Sequence, residues 1–414
     1  MNANPLLRDM QDFCWATGIE DTFIPQSRPG MRALEEYALT QHYEQWEQDL
    51  GLAASLGVRA IRWGIPWYRV EPEPGRFDWN WTDRVLDAMV NRYHLTPILD
   101  LMHYGTPLWL ENSFINSSYP ARVAAYAAQV ARRYRGLVEV FTPLNEPMVN
   151  VDFCGRRAEW PPYLEGDDGY MKLLSAIARG IVLTVQALRA EQPGCTLVQV
   201  EALWRFRTSS LAHQKKVAED NQRQYLSFDL CTGRVGKDYP LLPFLLDHGF
   251  SAADLEWFSR QAVTFDIFGA NFYPWSYGEL IPDRAGRLRA RSLRTPGSAI
   301  AEVIRDAHSR YGLPVMVTET SANEPVDGRA RWMDETLAAV RELRSEGLPV
   351  VGYTWFPMIT MIDWAYRKGH RPLNDYLLHL GLFDSSYDAD GVLRRAPTPL
   401  AEQYRRNTER GAAF

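Results

Sequence analysis

Short apolar runs alternate along the chain with longer stretches in which apolar positions recur every three or four residues. The runs lie near 12–18, 58–65, 97–103, 138–144, 196–203, 265–272, 314–319 and 350–356. Several are unbroken, such as Pro97-Ile-Leu-Asp-Leu-Met and Pro314-Val-Met-Val. Unbroken apolar runs of this length fit strands covered on both faces, as in a parallel sheet. Helical spacing marks 42–56, where Trp46, Leu50 and Ala53 share a face and Gly57 supplies a stop. The same spacing predicts helices over 82–93, 120–135, 170–191, 297–311 and 329–346. Eight strands with intervening helices predict an α/β fold of the closed (β/α)8 (TIM) barrel type, as one domain over residues 1–414. The stretch 204–262 is too long for a simple crossover and is expected to hold extra helices of that domain.

Composition narrows the function classes. The chain has 414 residues, 46% hydrophobic, which is ample for one large core. A net charge of -6 argues against a nucleic-acid partner. No membrane span is expected, because the longest apolar runs are strand-sized. Cys14, Cys154, Cys195 and Cys231 form no CxxC pair, and four thiols cannot staple so long a chain. Residues 1–12 include Arg8, Asp9 and Asp12 and lack the apolar stretch of a secretory signal. Together these point to a reducing, cytoplasmic setting. The eight histidines are scattered without a ligand motif, so neither a metal nor an organic cofactor is expected. No GxGxxG follows a strand, which removes the main signal for dinucleotide binding.

Polar and aromatic residues gather where the strands end: Arg62 and Trp63, then Asp100, His103 and Tyr104, then Asn145-Glu146-Pro147, Asn271-Phe-Tyr273, Thr318-Glu319-Thr320, and Tyr353 with Trp355. A lone acid after a strand is ordinarily a helix cap or a surface charge. Six strands sharing the feature point to the active-site face of a barrel. Glu146 and Glu319, on strands at opposite sides of the barrel, are placed to face each other across a bound sugar. Glycoside cleavage needs such a pair: one carboxylic acid protonates the departing oxygen while a carboxylate attacks or stabilises the anomeric carbon. The carboxylate that stays ionised gains from a nearby cation, and Arg62 is the candidate for that cation.

These residues resemble those of the family 1 glycoside hydrolases, the β-glucosidase family. The resemblance runs from Phe13 to about Asp384. It is carried by Thr142-Pro-Leu-Asn-Glu-Pro147, by Val317-Thr-Glu319 after Gly312-Leu-Pro314, by Ile61-Arg-Trp63 with Trp67-Tyr-Arg69, by Gly269-Ala-Asn-Phe-Tyr273, and by Gly236-Lys-Asp-Tyr-Pro240. It implies a retaining β-glycosidase working through a covalent glycosyl-enzyme, with Glu146 as acid/base and Glu319 as nucleophile. Asn145 would bond the sugar 2-hydroxyl, while Tyr273 and Arg62 would orient Glu319. His103, Trp355, Asp363 and Trp364 would contact the sugar, with Trp355 as its stacking floor. The loop around Gly155-Arg-Arg-Ala-Glu-Trp160 would border the leaving group, with Trp160 either stacking on an aromatic aglycone or serving in packing.

The departures from the family pattern are specific. Gly18 stands where a sugar-binding glutamine is usual, with Glu20 as its candidate substitute. Tyr104 replaces a tryptophan, Thr320-Ser321 replaces asparagine-glycine, and Asp363-Trp364 replaces glutamate-tryptophan one residue farther from Trp355. The expected partner is a small-molecule or oligosaccharide glycoside other than a plain glucoside, or one chosen loosely at its outer hydroxyls. The basic residues Arg367, Lys368 and Arg371 read as a solvated loop rather than a phosphate grip. Two alternatives remain open at this point: a transglycosylase using the same intermediate, and a catalytically weak sugar-binding barrel. The chain's oligomeric state is not encoded in any of these features.

Overall fold

The computed structural model describes Leu6, residues 13–291 and residues 294–411. Apart from Leu6, the reading of residues 1–12 falls outside them. Eight parallel strands close into a barrel: β1 (Cys14–Gly18), β2 (Ala60–Gly64), β3 (Thr96–Asp100), β4 (Val140–Thr142), β5 (Thr196–Ala202), β6 (Ile267–Asn271), β7 (Val315–Thr320) and β8 (Val350–Trp355). Each strand pairs with its neighbours in chain order, and β8 closes on β1. All eight predicted strands are present, and the barrel expectation is met.

Alternation along the strands sorts the side chains. Cys14 and Ala16, Ala60, Ile98, Val140, Val198 and Val200, Ile267, Met316 and Val351 fill the barrel interior with Leu6. This is the layered filling that makes such a barrel a packed core rather than a pore. The outward set packs against helices α1 (His42–Ser55), α2 (Asn80–Asp87), α3 (Tyr119–Arg133) and α4 (Gly166–Glu191). The helix expected over 82–93 instead passes from α2 into a wider π-helical turn at Ala88–Arg92. Between β5 and β6 lie α5 (Gln214–Arg223), α6 (Leu226–Cys231), α7 (Leu242–Asp247) and α8 (Ala252–Arg260), the helices expected in 204–262. α9 (Ile300–Tyr311), α10 (Val326–Ser345) and α11 (Pro399–Glu409) complete the outer layer.

Trp63 shows how the outward face is fixed. Its indole N–H donates to His42 Nε2 at 3.0 Å, and His42 Nδ1 lies 2.8 Å from Asp49. Arg395 then donates to Asp49 at 2.9 Å. The buried chain of partners ties β2 to α1, so Trp63 supports the barrel wall rather than the strand-end chemistry. α4 is apolar and long enough to cross a bilayer by length and composition, and 61% of its most apolar window is buried inside the molecule. Packing against α3 and the loop after β4 accounts for that apolarity.

Candidate active site

The site is built at the C-terminal ends of the strands, and local backbone features aim each side chain. On β2 the inward positions are Ala60, Arg62 and Gly64, which sends the Arg62 guanidinium up the barrel axis. On β7 the inward positions Met316 and Thr318 would turn Glu319 outward. The pairing register shifts after Val317 on both sides of the strand, and this irregularity re-aims Glu319 at the barrel mouth. At the end of β4, Glu146 takes a left-handed backbone conformation with φ of +43°. Pro147 opens the short helix that follows, so the chain breaks sharply at Glu146.

One buried hydrogen-bonded network joins these groups. Arg62 donates to Glu319 Oε1 at 2.6 Å, to Asn145 Oδ1 at 3.0 Å and to Asp100. Tyr273 donates to the other Glu319 oxygen at 2.7 Å. Glu146 accepts from Asn271 Nδ2 at 2.9 Å and from the Tyr104 hydroxyl. Asn145 Nδ2 donates to the Tyr104 oxygen at 3.0 Å and lies 2.8 Å from His103 Nε2. On its other side, His103 Nδ1 lies 2.7 Å from Asp21. Burial works against the imidazole's charge, but the carboxylates of Asp21, Asp100 and Glu20 raise its proton affinity well above the ordinary value.

A cavity of about 480 Å³ opens above the network. Its floor presents Glu20, His103, Glu146, Glu319 and Asp363, while Trp204, Phe206 and Trp275 form an apolar mouth. Arg62 and Asn145 lie beneath the floor, fully buried. Trp364 lines the wall, with its indole N–H buried and without a hydrogen-bond partner among the described residues.

The family described as Glycosyl hydrolase family 1 matches residues 16–198. A thermostable β-glucosidase B of Thermobispora bispora is 25% identical over 78% of this chain and 74% of its own length. A bifunctional β-D-glucosidase/β-D-fucosidase of Bifidobacterium breve is 23% identical over 80% of this chain and 81% of its own. Over residues 16–198 the chain is thus similar to glycosyl hydrolase family 1, and the β-glucosidase relatives extend the likeness over most of its length. A family 1 β-glucosidase structure from Thermotoga maritima shares the fold with a TM-score of 0.82, at 18% identity over 96% of this chain and 98% of that one.

The expected residues come together, with exceptions. Asn145, expected to bond the sugar 2-hydroxyl, lies beneath the cavity floor with its amide engaged by Arg62, Tyr104 and His103. Trp355 does not reach the cavity. It is wholly buried, and its indole N–H donates to the Leu380 carbonyl at 3.1 Å, so the stacking floor expected of it is not formed. Trp160 is likewise buried, wedged against Phe153, Tyr104 and Trp364 at ring separations of 4.5–5.1 Å. Of its two readings, packing is the one the structure supports; Trp204 and Trp275 are the tryptophans at the cavity mouth. Thr320 lies outside the sugar rim. Its hydroxyl donates to the Phe272 carbonyl at 2.7 Å and accepts from Trp332 on α10.

The missing glutamine has a physical explanation. A Cβ at Gly18 would fall 2.4 Å from the ring of Phe356, which fills the space a longer side chain would need. That ring lies parallel to His103 and under the Arg62 guanidinium. Glu20 Oε1 accepts from the Thr22 backbone at 3.1 Å, while Oε2 has no protein partner among the described residues. Of the basic residues past β8, Arg367 is buried and donates to the carbonyls of Ile24, Gln26 and Arg32. Lys368 pairs with Glu159.

Electrostatics separate the carboxylates. Burial, then the neighbouring Glu319, pushes the Glu146 carboxyl up to about 7, against the pull of the Tyr104 and Asn271 hydrogen bonds. Burial likewise lifts Asp21 to about 7. Asp100 is held below the ordinary value: burial works most strongly against its charge, but Arg62, His103 and Thr142 together outweigh it. Asp21, Asp100 and His103 also converge closely enough to hold a cation. Arg62 already occupies one side of that group, which makes it an ion-pair cluster. Sequence reasoning missed Asp21, Phe356, Trp204 and Trp275. The one available signal was Gly64, whose absent Cβ leaves room for Asp21.

Proposed function

We propose that the protein is a retaining β-glycosidase of the β-glucosidase type, with Glu319 as nucleophile and Glu146 as acid/base. The observation that carries this reading is the contrast between two carboxylates at one cavity. Glu319 accepts from Arg62 on one oxygen and from Tyr273 on the other, which fixes its orientation at the barrel mouth. Glu146 is pushed up to about 7, where it can give and take a proton near neutral pH. Attack by Glu319 on the anomeric carbon breaks the bond to the leaving oxygen, which takes the Glu146 proton. The Glu146 carboxylate then removes a proton from water as that water displaces Glu319.

The substrate reading follows from the rim. Glu20 and Asp363 present carboxylates where outer sugar hydroxyls would lie, and the basic residues past β8 are held by protein partners. That arrangement favours a neutral sugar over a phosphorylated one, chosen loosely at the outer hydroxyls. The aromatic mouth favours an apolar or aromatic leaving group.

Two measurements test the proposal. The pH profile of kcat/KM on an unactivated β-glycoside should be a bell whose alkaline limb lies near 7, and Glu319→Gly should be inactive until azide restores turnover as an α-glycosyl azide. A monotonic profile, or a Glu319→Gly variant as active as the parent, counts against the assignment. Across nitrophenyl β-glycosides that differ at the outer hydroxyls, comparable efficiencies are expected. Turnover confined to the β-glucoside contradicts the rim reading.

A further inference from the structure

Tyr104 occupies a position where a tryptophan was expected, and its hydroxyl does something an indole could not. Arg62 donates to Asn145 Oδ1, which fixes the amide so that Nδ2 points at the Tyr104 oxygen, 3.0 Å away. With its oxygen accepting from Asn145, the phenol's own proton is directed at Glu146 Oε2. The other Glu146 oxygen accepts from Asn271. A donor on each oxygen favours the ionised form of the carboxylate, in opposition to burial and to the charge of Glu319. The backbone is committed to this contact, since Tyr104 itself sits at φ of +83°, outside the region preferred by residues with a side chain.

We propose that Tyr104 is a positioning residue that sets the proton affinity of Glu146, as the last member of a hydrogen-bond chain running Arg62–Asn145–Tyr104–Glu146. The inference rests on Glu146 being the acid/base. Burial and the charge of Glu319 both favour the protonated carboxyl, while the Tyr104 donor favours the carboxylate. The balance lets one residue serve as acid in the first half of the reaction and as base in the second. The other titratable groups that bear on Glu146 are Glu319 of β7, His103 beyond β3, Tyr273 beyond β6 and Glu201 of β5. None of these contacts is removed when the Tyr104 hydroxyl is. The ring contacts with His103, Trp160 and Trp364 are kept by phenylalanine.

The test is the pH dependence of kcat/KM on an alkyl β-glycoside, whose leaving group needs a proton. Removing a donor to a carboxylate raises its pKa, so Tyr104→Phe should move the alkaline limb upward by about one pH unit and leave the acidic limb in place. Replacing Tyr104 by 3-fluorotyrosine makes the phenol a stronger donor within the same shape, and should move the same limb downward. The fluorinated enzyme decides the matter if Tyr104→Phe does not fold. An alkaline limb that stays put in both variants overturns the proposal, as does a uniform loss of activity at every pH. Glu146→Gln separates the two levels of the account. If it abolishes the alkaline limb while the Tyr104 variants leave that limb unmoved, only the role of Tyr104 fails. If the limb survives Glu146→Gln, the acid/base reading fails and the role of Tyr104 fails with it.

Discussion

At the scale of single residues, close approaches decide what the site can recognise. Gly18 faces Phe356 at a distance that admits no Cβ, so the glutamine usual at this place cannot simply be restored. Gly18→Gln is expected to destabilise the fold by about 1–3 kcal/mol through overpacking, with no gain in efficiency on β-glucosides. Adding Phe356→Ala should recover part of that loss, because the two side chains compete for one space. Denaturant titration of the three variants checks this. Additive destabilisation in the double variant would show that the two positions are not coupled. Arg62 is the other decisive residue. Its planar fork reaches Glu319, Asn145 and Asp100 at once, which the single ammonium of a lysine cannot do.

At the scale of elements, β5 carries an unusual load. Its inward residues Val198 and Val200 belong to the barrel core, while Glu201 points outward and is wholly buried. Gln199 donates to one Glu201 oxygen at 3.2 Å, and the other has no hydrogen-bond partner among the described residues. Burial foremost, with the charges of Glu146 and Asp229, lifts this carboxyl well above the ordinary range. The sign of the consequence follows from linkage. The folded protein keeps a proton that the unfolded chain releases above its ordinary carboxylate pKa. Stability is therefore full below that value and is lost as pH rises towards the folded one. Glu201→Gln removes the titration, so the fall in Tm between pH 5 and pH 8 should shrink by about 2 °C. An unchanged fall would mean that Glu201 finds a charge partner on folding.

At the scale of the whole molecule, the barrel was open to reading because strands covered on both faces are unbroken apolar runs, and eight of them recur between helical patterns. Glu146, Glu319, Arg62 and Tyr273 were open to reading because a barrel collects its chemistry at strand ends. Other features leave no local trace. Phe356 enters the space beside Gly18, and Asp21 the space beside Gly64, through contacts between segments distant in the chain. Trp355 and Trp160 are aromatic residues at the expected places. Which way each ring turns depends on partners, Leu380 for one and the Tyr104–Phe153–Trp364 cluster for the other, that sequence spacing cannot supply. The loop residues Trp204 and Trp275 reach the cavity only because β5 and β6 are neighbours in the closed barrel.

The central claim is that Glu319 forms a covalent bond to the sugar. Incubation with a 2-deoxy-2-fluoro β-glycosyl fluoride, followed by peptide mapping, tests it most directly. The account predicts time-dependent inactivation and one fluoroglycosyl group attached to the peptide that contains Glu319. A label on Glu146 or elsewhere, or continued turnover that yields an inverted product without any adduct, would contradict it.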